Sequence, residues 1–161
     1  MSGGGGPDLD LSQCADVRVC VVASSWHDEV MHGLIRGADR ALEEAGIVDA
    51  PMVRVPGAFE LPVAVKRAAD TRAFEAVVAL GVVVRGGTPH FDYVCQATSS
   101  GLIQASVATG IPVGFGLLTC DDLQQALDRA GGPGASEDKG HEAAAAALIT
   151  ALRLRTLPFS D

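Results

Sequence analysis

Four apolar runs divide the chain: Val17 to Ala23, interrupted only by Arg18; Met52 to Val55, ending at Pro56-Gly57; Ala76 to Val84; and Pro112 to Leu118. Short runs bounded by turn residues predict strands, and the nearly continuous run at Val17 to Ala23 predicts one buried in a parallel sheet. Between them the apolar period changes. Val30, Leu34, Ile35, Ala38 and Leu42 recur at helical spacing, which predicts a helix from Asp28 to about Ala45, closed by Gly46. Pro62 suits the first turn of a second helix running to about Arg72, and a third runs from about His90 to Ala108. Asp121 to Ala130 is read as a fourth helix, followed by a loop at Gly131 to Gly134. Ser136, with Glu137 and Asp138 behind it, is read as the start of a last helix to about Leu157. The run Ala143 to Ala147 is packing surface on that helix.

Strands alternating with helices predict an α/β fold, a three-layer α/β/α sandwich on a parallel sheet. With right-handed crossovers the economical strand order is 2-1-3-4. The chain then reverses its winding between strands 1 and 3, and a ligand is expected where their carboxyl ends part, at Ser24 to His27 and Arg85 to His90. A chain of 161 residues suits one domain. Residues 1–16, with four glycines, Pro7 and three aspartates, read as a flexible N-terminal arm, and 17–157 as the domain. Leu9 to Ser12 of that arm is placed to add a strand to a neighbour's sheet edge.

Charge narrows the partners. The net charge of −8 repels nucleic acid and anionic membranes, so neither is expected as a partner, and any bound phosphate must be held by local cations and backbone N–H groups. No basic segment followed by an apolar stretch opens the chain. The runs Ala76 to Leu80 and Ala143 to Ile149 fall well short of the ~20 residues that span a bilayer. A soluble, cytoplasmic protein is expected. Cys14, Cys20, Cys95 and Cys120 show no C-x-x-C spacing and read as small buried hydrophobes in a reducing compartment.

Gly86-Gly87-Thr88-Pro89-His90 is the segment richest in chemistry. Thr88 suits a helix cap and Pro89 the first helical position, while two glycines ahead of them leave backbone N–H groups open to an anion at a helix start. Gly81 to Thr88 approaches a P-loop, but Gly87 stands at the lysine position, which argues against a nucleotide triphosphatase. A plain strand-to-helix turn is the other reading. At His90 the helix dipole disfavours the imidazolium and a bound anion favours it, which suits proton transfer near neutrality; a surface histidine is the alternative. Trp26, the one tryptophan, lies at the expected crevice, either to stack on a heterocycle or to pack the core. Glu60, in Gly57-Ala58-Phe59-Glu60, brings a carboxylate to the same edge, as a hydroxyl acceptor or as a solvated side chain. Arg129 and Lys139 are candidate anion ligands, or solvated cations. Lys139 lies in a first helical turn, where Glu137 and Asp138, or a bound anion, would offset the dipole.

Together these segments resemble one family. Gly57-Ala58-Phe59-Glu60-Leu61-Pro62, the stretch from Gly81 through Gly86-Gly87-Thr88-Pro89-His90 to Val94, Gly116 to Thr119, Gln125 to Ala130 and Asp138-Lys139-Gly140 are similar to the signature blocks of the lumazine synthases. The resemblance covers about residues 17 to 156. It implies a flavodoxin-like fold and the condensation of 5-amino-6-(D-ribitylamino)uracil with 3,4-dihydroxy-2-butanone 4-phosphate. The products are 6,7-dimethyl-8-ribityllumazine, phosphate and water, at the penultimate step of riboflavin biosynthesis, with no cofactor or metal.

The resemblance further implies that Trp26 stacks on the pyrimidine. Ala58, Phe59 and Glu60 would hold the ribityl chain, and Val82, Val83 and Val84 the ring edge. Gly87 and Thr88 would cradle the phosphate and His90 would relay protons. Phe115, Arg129 and Lys139 would complete the site, with Phe115 and Arg129 coming from a neighbouring subunit of a homopentamer or a multiple of pentamers. Gly87 stands where the family has a larger, often polar residue, and Trp26-His27 where an aromatic-Asn pair is common. A flavin- or nucleotide-binding module, an inactive shell protein and a riboflavin synthase are the competing readings; intact His90, Arg129 and Glu60 argue against an inactive relative.

Overall fold

The computed structural model describes Pro7 and residues 9–157. Its sheet holds β1 (Val19–Ser24), β2 (Met52–Val55), β3 (Ala76–Val84) and β4 (Val113–Cys120) in the order β2-β1-β3-β4, every pair parallel. That is the expected order. Around it lie α1 (Asp28–Glu44), a 3₁₀ turn (Ala58–Glu60), α2 (Leu61–Asp70), α3 (His90–Thr109), the short α4 (Leu123–Leu127) and α5 (Lys139–Leu154).

Two cores sandwich the sheet. Val19, Val21, Val78 and Leu80 pack with Leu34 of α1 and Leu148 of α5, while Val22 and Val77 pack with Leu61 and Val65 of α2 and Leu102 of α3. Successive strand residues face opposite cores, and burial on both sides is why β1 and β3 read as unbroken apolar runs. α1 and α5 approach so closely that a Cβ at Gly140 would run into the backbone of Leu34. Only glycine fits there.

The chain between β4 and α5 departs from expectation. α4 is shorter than Asp121 to Ala130, with Asp122 capping it by accepting from Gln125 N at 2.8 Å. Gly131, Gly132 and Gly134 adopt positive φ and turn the chain back, so that Ala130 pairs with Asp138 as an isolated antiparallel bridge. This pairing takes backbone groups that a longer helix would need. Ser136 therefore does not open α5; its hydroxyl donates to Asp128 at 2.7 Å, and Asp138 caps the helix by accepting from His141 N.

Of the segment read as an arm, residues 1–6 and 8 lie outside the described residues. Further on, Leu11 and Cys14 are buried in the α1/α5 core, Cys14 N donates to Leu11 O at 2.9 Å, and Arg155 holds Asp16. Leu11 to Cys14 is thus a turn packed on the chain's own body, because two apolar side chains there find a core to enter. Among the described residues no helix is long and apolar enough to cross a membrane.

Candidate active site

β1 and β3 lie side by side, yet α1 leaves β1 for one face of the sheet and α3 leaves β3 for the other. Their carboxyl ends part and leave a cleft of about 320 Å³. Trp26 and His27 wall it from β1, Gly57 to Glu60 from the turn after β2, Val82 to Val84 from β3, and His90 and Val94 from α3.

Trp26 is 67% exposed, so its ring is offered to the cleft rather than spent in the core. A Cβ at Gly57 would be in ordinary contact with the indole edge, at 3.7 Å, but would crowd the Glu60 carboxylate at 3.1 Å. Glu60 reaches back to accept from Gly57 N at 2.9 Å, which fixes the tight turn and sets the carboxylate in the cleft wall. The buried Thr98 hydroxyl donates to Ala58 O at 3.3 Å and ties that turn to α3. His27 begins α1 with φ 59° and ψ 67°, a left-handed conformation that non-glycine residues seldom adopt and histidine tolerates better than most. The residue lines the cleft. Sequence alone had left its role open.

The loop after β3 is pinned by Arg85, a residue whose part the sequence did not disclose. Its backbone N–H donates to Cys120 O at 2.9 Å, and its guanidinium bonds Asp121 at 2.8 Å and Asp92 at 3.3 Å, with its carbon 4.2 Å from the centroid of the Phe91 ring. The bond to Asp121, above all, raises its pKa further. Gly86, Gly87 and Thr88 follow on the surface, and a Cβ at either glycine would meet nothing. Thr88 does not cap the helix. Pro89 already has helical angles (φ −62°, ψ −4°), Asp92 N finds Pro89 O at 3.0 Å, and α3 begins at His90, as expected, with Pro89 in the cap position read for Thr88. The imidazole sits at the helix start and lines the cleft.

Arg129 and Lys139 are brought together, but elsewhere. Lys139 N donates to Arg129 O at 2.9 Å across the turn-back, beside Ala126 and Ala130 of the α1/α5 core. Glu137 stands between them, 3.6 Å from Arg129 Nε and in an ion pair with Lys139 Nζ. Lys139 also pairs with Glu142 at 2.8 Å. Burial alone would lower the lysine pKa; the two carboxylates outweigh it and hold it above the ordinary value. Asp138, expected to offset Lys139, instead caps α5 and pairs with Arg40. Neither cation lines the cleft, and nor does Phe115, which is 52% exposed on β4. One chain thus gathers Trp26, Ala58 to Glu60, Val82 to Val84 and His90, with Gly87 and Thr88 on the adjoining loop. It leaves Phe115, Arg129 and Lys139 apart.

A flavodoxin-like domain with a switch-point cleft walled by an indole, a carboxylate and an imidazole defines an α/β protein of the small-molecule-binding class. The model of one family, 6,7-dimethyl-8-ribityllumazine synthase, matches residues 16–155. A 6,7-dimethyl-8-ribityllumazine synthase of Streptomyces coelicolor is 61% identical over 98% of this chain and 97% of its own. Those of Kocuria rhizophila and Paenarthrobacter aurescens are 61% and 59% identical, over 96% of this chain and 99% and 98% of their own. The chain belongs to the 6,7-dimethyl-8-ribityllumazine synthase family of transferases.

Proposed function

We propose that the switch-point cleft is where this enzyme condenses 5-amino-6-(D-ribitylamino)uracil with 3,4-dihydroxy-2-butanone 4-phosphate to 6,7-dimethyl-8-ribityllumazine, phosphate and water. The observation that carries the assignment is the convergence of Trp26, Glu60, the end of β3 and His90 on one cavity sized for one heterocycle. The pyrimidine lies on the open face of Trp26, its edge along Val82 to Val84. The ribityl chain runs to Ala58, Phe59 and Glu60, whose carboxylate accepts from hydroxyls. The phosphate rests on Gly87 and Thr88 at the start of α3, where open backbone and the helix dipole favour an anion. His90, between the two substrates, moves protons during imine formation, phosphate elimination and ring closure. Holding two reactants in place supplies up to about 7–11 kcal/mol, and a positioned base roughly 10²–10⁴-fold.

The active form is a ring of identical subunits, a pentamer or a multiple of it. Two features support this. Tyr93, Ile103 and Val107 of α3 are 72%, 61% and 77% exposed and lie within one stripe of the helix, a surface suited to a neighbour. Arg129, Lys139 and Phe115 are absent from their own cleft and complete a neighbour's. Free cysteines, three of them buried, support a reducing, cytoplasmic setting.

The test joins activity to assembly. Purified protein given both substrates should produce lumazine absorbance and fluorescence. Trp26→Ala and Arg129→Ala proteins, each impaired, should regain activity when dissociated and reassembled together, because some interfaces then join an intact Trp26 to an intact Arg129. Mixed rings seen by native mass measurement without recovered activity would refute the shared site.

A further inference from the structure

We infer that Glu137 is a positioning residue that acts as an internal counter-anion: it holds Arg129 and Lys139 together while no phosphate is bound, yields them to the substrate phosphate, and reclaims them as inorganic phosphate leaves. This rests on the proposed role of those two cations.

The backbone creates the arrangement. The bridge between Ala130 and Asp138, with Lys139 N donating to Arg129 O at 2.9 Å, lays residues 137–139 beside Arg129. Where the chain passes from the bridge at Asp138 into α5, the side chains of Glu137 and Lys139 come together. One carboxylate consequently serves both cations, Oε1 lying 3.6 Å from Arg129 Nε and Oε2 pairing with Lys139 Nζ. Its side chain is only 20% exposed and that of Lys139 only 14%, so water screens this pair less than an ordinary surface pair. Glu142 touches Lys139 alone and is 51% exposed. Arg129 is steadied further by donating to Gln125 O at 2.8 Å.

Two cations left side by side would repel each other and swing apart. A carboxylate between them keeps both in place and also competes with any other anion. That competition serves a reaction that must release phosphate. The ester outbids the carboxylate because its attached butanone part adds contacts in the cleft; after elimination the freed phosphate has lost those contacts, and the tethered carboxylate displaces it. The cost is weaker phosphate binding than two unopposed cations would give.

Glu137→Gln tests this, because the amide keeps the volume and removes the charge. Inorganic phosphate is the probe, as an inhibitor competing with the butanone phosphate. Removing one competing charge should tighten its inhibition constant by about fivefold, the upper worth of a screened ion pair, with the KM for the pyrimidine unchanged. Glu137→Asp, which withdraws the carboxylate by one methylene, should lie between, and Glu142→Gln should move phosphate inhibition less than Glu137→Gln. Phosphate inhibition within twofold of wild type, or weakened, in both Glu137 variants would overturn the counter-anion role, provided Arg129→Ala still weakens phosphate. If Arg129→Ala also leaves phosphate inhibition unchanged, the cation assignment itself falls. Should Glu137→Gln fail to assemble, phosphate inhibition of the aspartate variant decides the question in the same way.

Discussion

Replacing Trp26 by alanine separates binding from folding. A tryptophan side chain offers up to about 250 Å², and Trp26 leaves 67% of its surface open at the cleft. A heterocycle stacked on one face covers roughly half of the open part, on the order of 80 Å², worth about 2 kcal/mol at ~25 cal/mol/Å². At about 1.4 kcal/mol per decade, the KM for the pyrimidine should rise about 30-fold. The buried third of the ring contributes about 1–2 kcal/mol to folding, an upper value because unfolded chains already bury some surface. The melting temperature should fall by a few degrees only. Initial rates of lumazine formation with each substrate varied in turn, backed by calorimetric titration with the pyrimidine, measure the split. The KM for the butanone phosphate should stay within about threefold, on the same area reasoning. A pyrimidine KM that moves less than that, equal effects on both substrates, or collapse of the fold would refute a stacking role and return Trp26 to packing.

His90→Ala should lower kcat by roughly 10²-fold with the fold intact; near-wild-type turnover from pH 6 to 8 would remove His90 from proton transfer. Arg129→Ala should raise the KM for the butanone phosphate by about 10- to 150-fold, the worth of a charge-assisted bond, and equal effects on both substrates would make it structural. Glu75 offers a test of stability alone. Bonds from Arg155 first, then Arg18, outweigh its desolvation and hold its carboxyl at about 2 against an ordinary 4.5. Its stabilisation is therefore complete above pH 4.5 and is lost as pH falls towards 2. Glu75→Gln should cost about 1–2 kcal/mol near pH 6, allowing for screening at a site 24% exposed. In urea titrations the gap to wild type should narrow steadily below pH 4.5, and a gap independent of pH would contradict the pairing.

Much of the site was legible in the sequence because its parts follow local rules. β3 runs from Ala76 to Val84 and β2 from Met52 to Val55, as read from their apolar runs; burial leaves β3 no polar position to blur its ends, while β2, an exposed edge strand carrying Arg54, is bounded by Pro51 and Pro56. The strand order followed from handedness, and the crevice followed from the order, which brought Trp26, Glu60 and His90 to one edge as they stand in the fold.

What tertiary structure decided lies where distant segments compete for the same groups. Ser136 is a good cap by type, yet Asp128 takes its hydroxyl and Asp138 caps α5, because the turn at Gly131 to Gly134 folds 128–131 against 136–139. Thr88 lost its cap to a proline already in helical conformation. Arg85 reads as one more surface cation until Cys120, Asp121 and Phe91 arrive around it from elements fixed by the sheet. Leu11 and Cys14 belong to a glycine-rich segment by composition and to the core by contact. Periodicity records which face of an element is buried. The partner of a polar side chain depends on which loops the packed elements bring within about 3 Å of it, and spacing along the chain does not carry that distance.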